Sequence, residues 1–153
     1  MKYIKTFKKY KILENSDYFD EYYRGVGDIE AIESLKLGHL VYYSSDPISN
    51  DWEVIEYSLG DSVSEMDEDG INEYLNELIP WMDINKGVNL TTDKDNASGY
   101  SDIVFGIEII GNYVEFGKSY IFVEHPNNCI IKKCYYMGQE IDREELIKII
   151  SSK

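Results

Sequence analysis

The sequence contains few of the residues that bind metals or form disulfides. It has two cysteines, Cys129 and Cys134, and two histidines among 153 residues. These are too few for a convincing zinc site, so we expect no metal. The cysteines are five positions apart in one predicted strand, which places their side chains on opposite faces. A disulfide between them is therefore not expected.

Long apolar runs are also missing. No stretch approaches the roughly 20 apolar residues that a transmembrane helix needs. The N-terminal segment MKYIKTFKKYKI is basic but lacks the apolar region of a signal peptide. The sequence therefore predicts a cytoplasmic protein that does not associate with a membrane.

Basic residues are scarce compared with acidic ones. The chain has 15 Lys and Arg against 29 Asp and Glu, which gives a net charge of −14. An acidic surface repels nucleic-acid phosphates and anionic membranes, and it attracts basic proteins. Non-specific binding to nucleic acid is not expected, although a mimic of nucleic acid would carry the same charge.

The length of 153 residues predicts a single domain, 1–153. Its first 14 residues form a basic N-terminal arm in which basic residues alternate with apolar and aromatic ones. This arm fits an edge strand or a short docked helix. It could be tied to the acidic body, or it could bind a partner.

The most informative stretch is 88–110, VNLTTDKDNASGYSDIVFGIEII. A short apolar entry leads to a hydroxyl pair, Thr91 and Thr92, and then to Asp93, which can cap a short helical turn. An apolar, β-branched run over 103–110 predicts the next strand. Hydroxyls at a strand end, next to helix amides, can hold a sugar and phosphates. A capped turn between two core strands is the simpler interpretation.

Further strands are predicted over 18–26, 39–45, 119–124 and 129–136. The Gly111-Asn112 turn predicts a hairpin between 103–110 and a following strand. Residues 51–59 fit either a strand or a helix.

Helices are predicted in three other places. One begins with an Asp28 cap and ends at Gly38, with Ile29, Ile32 and Leu35 on one stripe. A second covers 71–79 and follows an acidic loop over 61–70. The last covers 142–151, with Asp142 as its cap. Short helices combined with strands that crowd the second half favour an α+β fold with mainly antiparallel sheets.

Two short motifs resemble those of the ADP-ribosyltransferase family, which includes bacterial toxins and small phage enzymes. Tyr23-Arg24-Gly25 is similar to the strand that carries an Arg in the arginine-serine-glutamate branch. Leu90-Thr91-Thr92-Asp93, followed by Ala97 and Tyr100, is similar to its strand that ends in a Ser-Thr-Ser step. The resemblance spans residues 20–136.

The resemblance implies a split β-sandwich of mainly antiparallel strands with short flanking helices, and NAD+ bound in the cleft between two sheets. Arg24, beside Gly25, would contact the pyrophosphate, since a guanidinium suits phosphate oxygens. Thr91, beside Thr92, would support the nicotinamide ribose. Tyr100, or one of Tyr42 and Tyr43, would stack on the nicotinamide ring.

The third motif of the family is a strand that begins with a catalytic Glu. The matching position lies near Ser119-Tyr120, where the chain has no acid. Glu115, in the preceding segment, and Glu124, at the far end of the strand, are the nearest candidates. Such a carboxylate would stabilise an oxocarbenium-like state electrostatically.

Three functions follow as hypotheses. The first is an NAD-dependent mono-ADP-ribosyltransferase that modifies a protein acceptor. The second is an inactive acidic binding or inhibitor protein of phage origin that acts on a basic partner. The third is a structural component of an assembly, attached through the arm 1–14.

Overall fold

The computed structural model describes residues 6–8, 21–44, 68–116 and 120–153. The strands in these ranges are β1 (Thr6–Lys8), β2 (Tyr22–Val26), β3 (Val88–Thr91), β4 (Ile103–Ile109), β5 (Tyr113–Phe116), β6 (Tyr120–Val123), β7 (Cys129–Tyr136) and β8 (Gln139–Ile141). The helices are α1 (Asp28–Leu37), α2 (Glu68–Leu78), α3 (Lys94–Ser98) and α4 (Arg143–Ser151), and a 3-10 turn covers Pro126–Asn128.

The eight strands form one sheet in the order β1-β5-β6-β3-β2-β4-β7-β8, and all of its strand pairs are antiparallel. The predicted α+β class with an antiparallel sheet is confirmed. None of the helices in the described ranges has the length and apolar character needed to cross a membrane.

The sheet is almost divided at its centre. β2 and β3 share a single residue pair, Tyr23 with Thr91. This pair joins a first half-sheet (β1, β5, β6, β3) to a second half-sheet (β2, β4, β7, β8). The rings of Tyr22 in β2 and Tyr113 in β5 lie 6.1 Å apart. Those strands would be about 14 Å apart in a flat sheet, so the sheet bends until its halves face each other.

The main core lies on the concave side of this bend. Both half-sheets contribute to it, and α1 and α4 cover it with Ala31, Leu35, Leu146 and Ile150. On the other face of β4, Val104 packs with Ala97 of α3 and with Tyr135. Because both faces of β4 are covered, all seven of its residues are buried. A β-branched, apolar strand suits this central position.

The predicted organisation of residues 88–110 is confirmed. β3, α3 and β4 follow one another as expected. Asp93 caps α3, because its side-chain oxygen accepts a hydrogen bond from the backbone N–H of Asp95 at 2.9 Å. The strands predicted over 119–124 and 129–136 are also present, as β6 and β7.

Several predictions about the helices are wrong. The N-cap of α1 is Gly27 rather than Asp28, whose carboxylate instead pairs with Lys153 at 3.1 Å. Ile29 lies on the solvent side of α1 and is 73% exposed. Asp142 occupies the N-cap position of α4 but makes no side-chain capping bond.

The predicted boundary before the second helix is also wrong. α2 begins at Glu68, three residues before the predicted start at 71. Acidic residues are favourable in the first turn of a helix, because they interact with its unpaired amides. The rest of the predicted acidic loop, 61–67, lies outside the described residues, as does 51–59.

The predicted hairpin between 103–110 and the next strand does not form. β4 pairs with β2 and β7, whereas β5 pairs with β1 and β6. The Gly111 turn therefore passes the chain from one half-sheet to the other. A turn signal fixes a local reversal but does not choose the partner strand.

In residues 39–44, the described part of the strand predicted over 39–45, pairing is reduced to one bridge, between His39 and Ile130. The backbone N–H of Leu40 donates to Cys129, and that of Ser44 donates to Gly87. Because these bonds go to separate parts of the sheet, residues 40–44 form no ladder. In the N-terminal arm, Thr6–Lys8 form an edge strand, and the remainder lies outside the described residues.

The two cysteines lie on the same side of β7, contrary to the prediction. Gly106 of β4 is opposite Lys133, but its neighbour Ile107 is opposite Ile131. Lys132 is therefore an extra residue, and this β-bulge reverses the alternation of side chains. Cys129 and Cys134 both join the main core as free thiols.

Candidate functional site

A cleft opens where β2 and β3 separate. Beyond the pair of Tyr23 and Thr91 the two backbones no longer bond, and the side chain of Arg24 spans the gap. Its Nη1 donates to the backbone oxygen of Asn89 at 3.0 Å and to Ser44 Oγ at 3.0 Å. A guanidinium thus replaces the missing ladder bond between the strands.

Arg24 also pairs with Glu30 of α1, whose Oε2 lies 3.3 Å from Nε. Both side chains are largely buried, with 16% and 17% of their surfaces exposed. Nε and Nη1 account for all the contacts of this guanidinium with described residues. Its Nη2 therefore has no described partner and can donate to an anionic group of a ligand.

Helix α3 forms one wall of the cleft and is held against β2 at Gly25. A Cβ atom at Gly25 would lie 2.5 Å from the backbone oxygen of Ala97 and 3.3 Å from Cβ of Tyr100. Only glycine permits this approach. Ala97 is buried, so α3 has a fixed position beside Arg24.

The hydroxyl of Thr91 links β3 to the start of α3. Its Oγ1 accepts a hydrogen bond from the backbone N–H of Asp93 at 3.1 Å. A hydroxyl can donate and accept at once, so the Thr91 O–H remains a donor for a ligand. The hydroxyl is thereby oriented before any ligand binds.

The cleft has a volume of about 560 Å³, within the range of about 300–1,000 Å³ that is usual for small-molecule sites. Both half-sheets, α3 and the segment after α1 contribute to its lining. The lining residues are Tyr23, Arg24, Gly25, Ser44, Asn89, Leu90, Thr91, Asp95, Asn96, Ala97, Gly99 and Tyr100.

A tyrosine pair braces the floor of the cleft. The Tyr23 hydroxyl donates to Glu21 Oε2 at 2.5 Å, and the Tyr135 hydroxyl donates to the same carboxylate at 3.1 Å. Burial raises the pKa of Tyr23 to about 12, and the hydrogen bond and charge of Glu21 add to this shift. Lys94 of α3 lies 4.5 Å above the Tyr135 ring, which ties α3 to this group.

The structure brings together four of the predicted cofactor-binding residues. Arg24, Gly25, Thr91 and Tyr100 all line the cleft. Tyr100 is 88% exposed, so a planar group can stack on its ring. Thr92 is exposed but does not line the cleft.

The other two tyrosines considered for stacking lie outside the cleft. The Tyr43 hydroxyl contacts Nδ1 of His125 at 3.2 Å, and the Tyr42 hydroxyl donates to Glu33. Neither ring is among those that line the cleft. Tyr100 is therefore the better placed candidate.

Neither carboxylate candidate lines the cleft. Glu115 lies in β5, which is separated from β3 by β6. Glu124 follows the far end of β6, where its Oε1 lies 2.9 Å from Nε2 of His125. The beginning of β6 does lie beside β3, the strand that carries Thr91, because Tyr120 is the partner of Thr91. Residues 117–119 lie outside the described residues.

Sequence reasoning missed three contributors to the site. Asn89 acts through its main-chain oxygen, which leaves no sequence signal. Ser44 lies in a segment that was predicted as a strand. Asp95 lines the cleft, but its position in a first helical turn has an ordinary structural explanation. Nowhere in the described ranges do three His, Cys, Asp or Glu side chains form a group that could hold a metal ion.

Comparisons of the chain with protein-family models, with curated proteins and with solved structures found no match.

Proposed function

We propose that this protein is an NAD-dependent mono-ADP-ribosyltransferase with an ADP-ribosyltransferase-like fold, and that it modifies a protein acceptor. One observation carries the proposal. Arg24, Gly25, Thr91 and Tyr100 come from two strands and the end of a helical turn, and they line one cleft. All four residues belong to the two stretches of sequence that resemble family motifs.

The available groups fit the parts of NAD+. Nη2 of Arg24 can bind the pyrophosphate, and the Thr91 hydroxyl can donate to the nicotinamide ribose. The exposed Tyr100 ring can stack on the nicotinamide. When bound, NAD+ supplies the ribose–nicotinamide bond that the reaction breaks. The net charge of −14 favours a basic acceptor, since it steers such a partner toward the protein.

The test is an NAD+ titration by calorimetry, followed by measurement of nicotinamide release from the same sample. Arg24→Ala should weaken NAD+ binding about tenfold or more, because a hydrogen bond to a charged group contributes about 1.5–3 kcal/mol. Arg143→Ala is the matched control. Arg143 also donates to a backbone oxygen, that of Ile131 at 2.7 Å, but it lies outside the cleft.

Unchanged NAD+ affinity in Arg24→Ala, with folding intact, would contradict the proposal. Arg24 would then be a structural arginine paired with Glu30. Circular dichroism of both variants separates this outcome from loss of the fold.

An acidic binding or inhibitor protein, of phage origin, is the alternative. It is favoured by one observation, which is that Glu115 and Glu124 both lie outside the cleft. In that case the protein should bind no NAD+ at millimolar concentration, and it should associate with a basic protein such as a histone in a salt-sensitive manner.

A further inference from the structure

The cleft contains one carboxylate among its described lining residues. This carboxylate belongs to Asp95, in the first turn of α3. Glu30 lies nearby but already pairs with Arg24. Any chemistry in the cleft that develops positive charge therefore has Asp95 as its nearest counter-charge in the described part of the chain.

The position of Asp95 is fixed by its backbone. Its N–H donates to the Asp93 side chain at 2.9 Å, and its carbonyl oxygen accepts from the N–H of Gly99 at 3.1 Å. The close approach of Ala97 to Gly25 anchors the same helix on β2. Asp95 is thus presented by a short rigid element rather than by a mobile loop, as an electrostatic stabiliser requires.

The Asp95 side chain is exposed and makes no contact with any described residue that would neutralise it. Both its oxygens are therefore available to a ligand. Asp93 lies two residues away and adds a second negative charge at this end of α3.

We infer that Asp95 is the carboxylate that stabilises the ribosyl cation during cleavage of NAD+. The inference rests on the proposed function and adds to it the residue that replaces the missing strand-start Glu. Asp95 reaches the cleft from the helix wall, whereas neither Glu115 in β5 nor Glu124, which follows β6, lines the cleft.

The reaction replaces one bond at C1′ of the ribose with another. The bond between C1′ of the ribose and N1 of the nicotinamide breaks, and its electron pair leaves with neutral nicotinamide. The resulting oxocarbenium ion is stabilised by the negative charge of Asp95. An acceptor nucleophile, or water in its absence, forms the new bond to C1′ and loses a proton to the Asp95 carboxylate or to solvent.

The inference is tested with Asp95→Asn in the full chain, with water as the acceptor. The substitution keeps the side-chain volume and removes the charge. It should lower the turnover number for nicotinamide release about 100-fold or more. The Kd for NAD+ should change less than threefold, because the positive charge on the ribose develops only in the transition state. Asp95→Glu should restore part of the rate.

Asp102→Asn is the matched control, since Asp102 is exposed, lies seven residues further on and is outside the cleft. Its rate should equal that of the unaltered protein. Glu115→Gln and Glu124→Gln test the two rival carboxylates in the same assay. Loss of release in either of them, with Asp95→Asn active, would overturn the assignment of Asp95.

The two levels of the proposal fail in different ways. If the unaltered protein releases nicotinamide and Asp95→Asn does so at the same rate, the role of Asp95 is overturned and the proposed function stands. If the unaltered protein neither binds nor cleaves NAD+, both are overturned.

Discussion

The two edges of β2 differ sharply. On one edge all five residues from Tyr22 to Val26 pair with β4. On the other edge Tyr23 alone pairs with β3, and the side chain of Arg24 crosses the opening. The paired edge supplies structure. The open edge leaves a cleft whose lining includes the Arg24 guanidinium and the Thr91 hydroxyl.

The difference shows how a single short strand can both hold the sheet together and form the cleft. Arg24 has Phe105 of β4 as its backbone partner, and Phe105 is fully buried. The backbone of Arg24 is therefore fixed by the paired edge, while its guanidinium is directed into the open edge. Pre-positioning of this kind lowers the entropy that a ligand would otherwise lose on binding.

The comparison predicts that the largest losses of stability come from the paired edge. Phe105→Ala should lower the free energy of unfolding by about 3–5 kcal/mol, because it leaves a cavity in a core that cannot fully close. Urea unfolding measures this value. Ile107→Val, in the same strand, should cost only about 0.5–1.5 kcal/mol. If Phe105→Ala lowers the free energy of unfolding by less than about 1 kcal/mol, the edge of β2 that pairs with β4 is not the main source of stability.

A substitution at the boundary of the two edges should affect stability and the cleft together. In Gly25→Ala the new Cβ meets the backbone oxygen of Ala97 at 2.5 Å, so α3 must move. We expect a loss of about 1–3 kcal/mol and weaker NAD+ binding, measured by urea unfolding and calorimetry.

Gly27→Ala is the control for that experiment, since a Cβ at Gly27 meets nothing within 4 Å. It should cost less than about 1 kcal/mol, the usual scale of a helix N-cap change. Equal effects of the two substitutions would show that the contact with α3 is unimportant.

The smallest effect is expected at the cleft floor and depends on pH. The pKa of Tyr23 is about 12 in the folded protein and about 10 in the unfolded chain. Its stabilising contribution is complete below pH 10 and is lost as the pH rises toward 12. Tyr23→Phe should therefore lose about 1 kcal/mol at neutral pH, and its stability should fall less steeply above pH 10.

Urea unfolding between pH 9 and about 11.5 measures that slope. Tyr100→Phe removes an exposed hydroxyl outside the Glu21 network and serves as the control. If the free energy of unfolding of Tyr23→Phe falls with pH as steeply as that of the unaltered protein, ionisation of the Tyr23 hydroxyl does not contribute to the pH dependence of stability.

Local signals predicted the structure of residues 88–110, although they misplaced the N-cap of α1 and predicted a side-chain capping bond in α4 that does not form. The Asp93 cap and the apolar run after it lie within one stretch, so β3, α3 and β4 were predictable from neighbouring residues. The pairing of β5 was not, because Gly111 and Asn112 specify a reversal but not a partner 10 or 100 residues away. Register and partner choice depend on which faces are buried in the assembled sheet.

The site was predictable to the extent that side chains carry it. Arg24 and Thr91 stand in recognisable motifs, and both line the cleft. Asn89 contributes a main-chain oxygen, which any residue would supply. The contribution of Asp95 was hidden because an acid in a first helical turn is common for structural reasons alone.

The bulge in β7 has a consequence for how this strand can vary. Lys132 is exposed and has no opposite residue in β4. Its Nζ lies 3.7 Å from Oε1 of the buried Glu108, so the side chain provides a positive charge beside that carboxylate. The presence of a residue at this position matters as well. Deleting it would restore strict alternation and turn Cys134 and every later residue of the strand to the opposite face. At this position the chain is therefore constrained both in length, by the bulge, and in charge, by the buried Glu108 carboxylate.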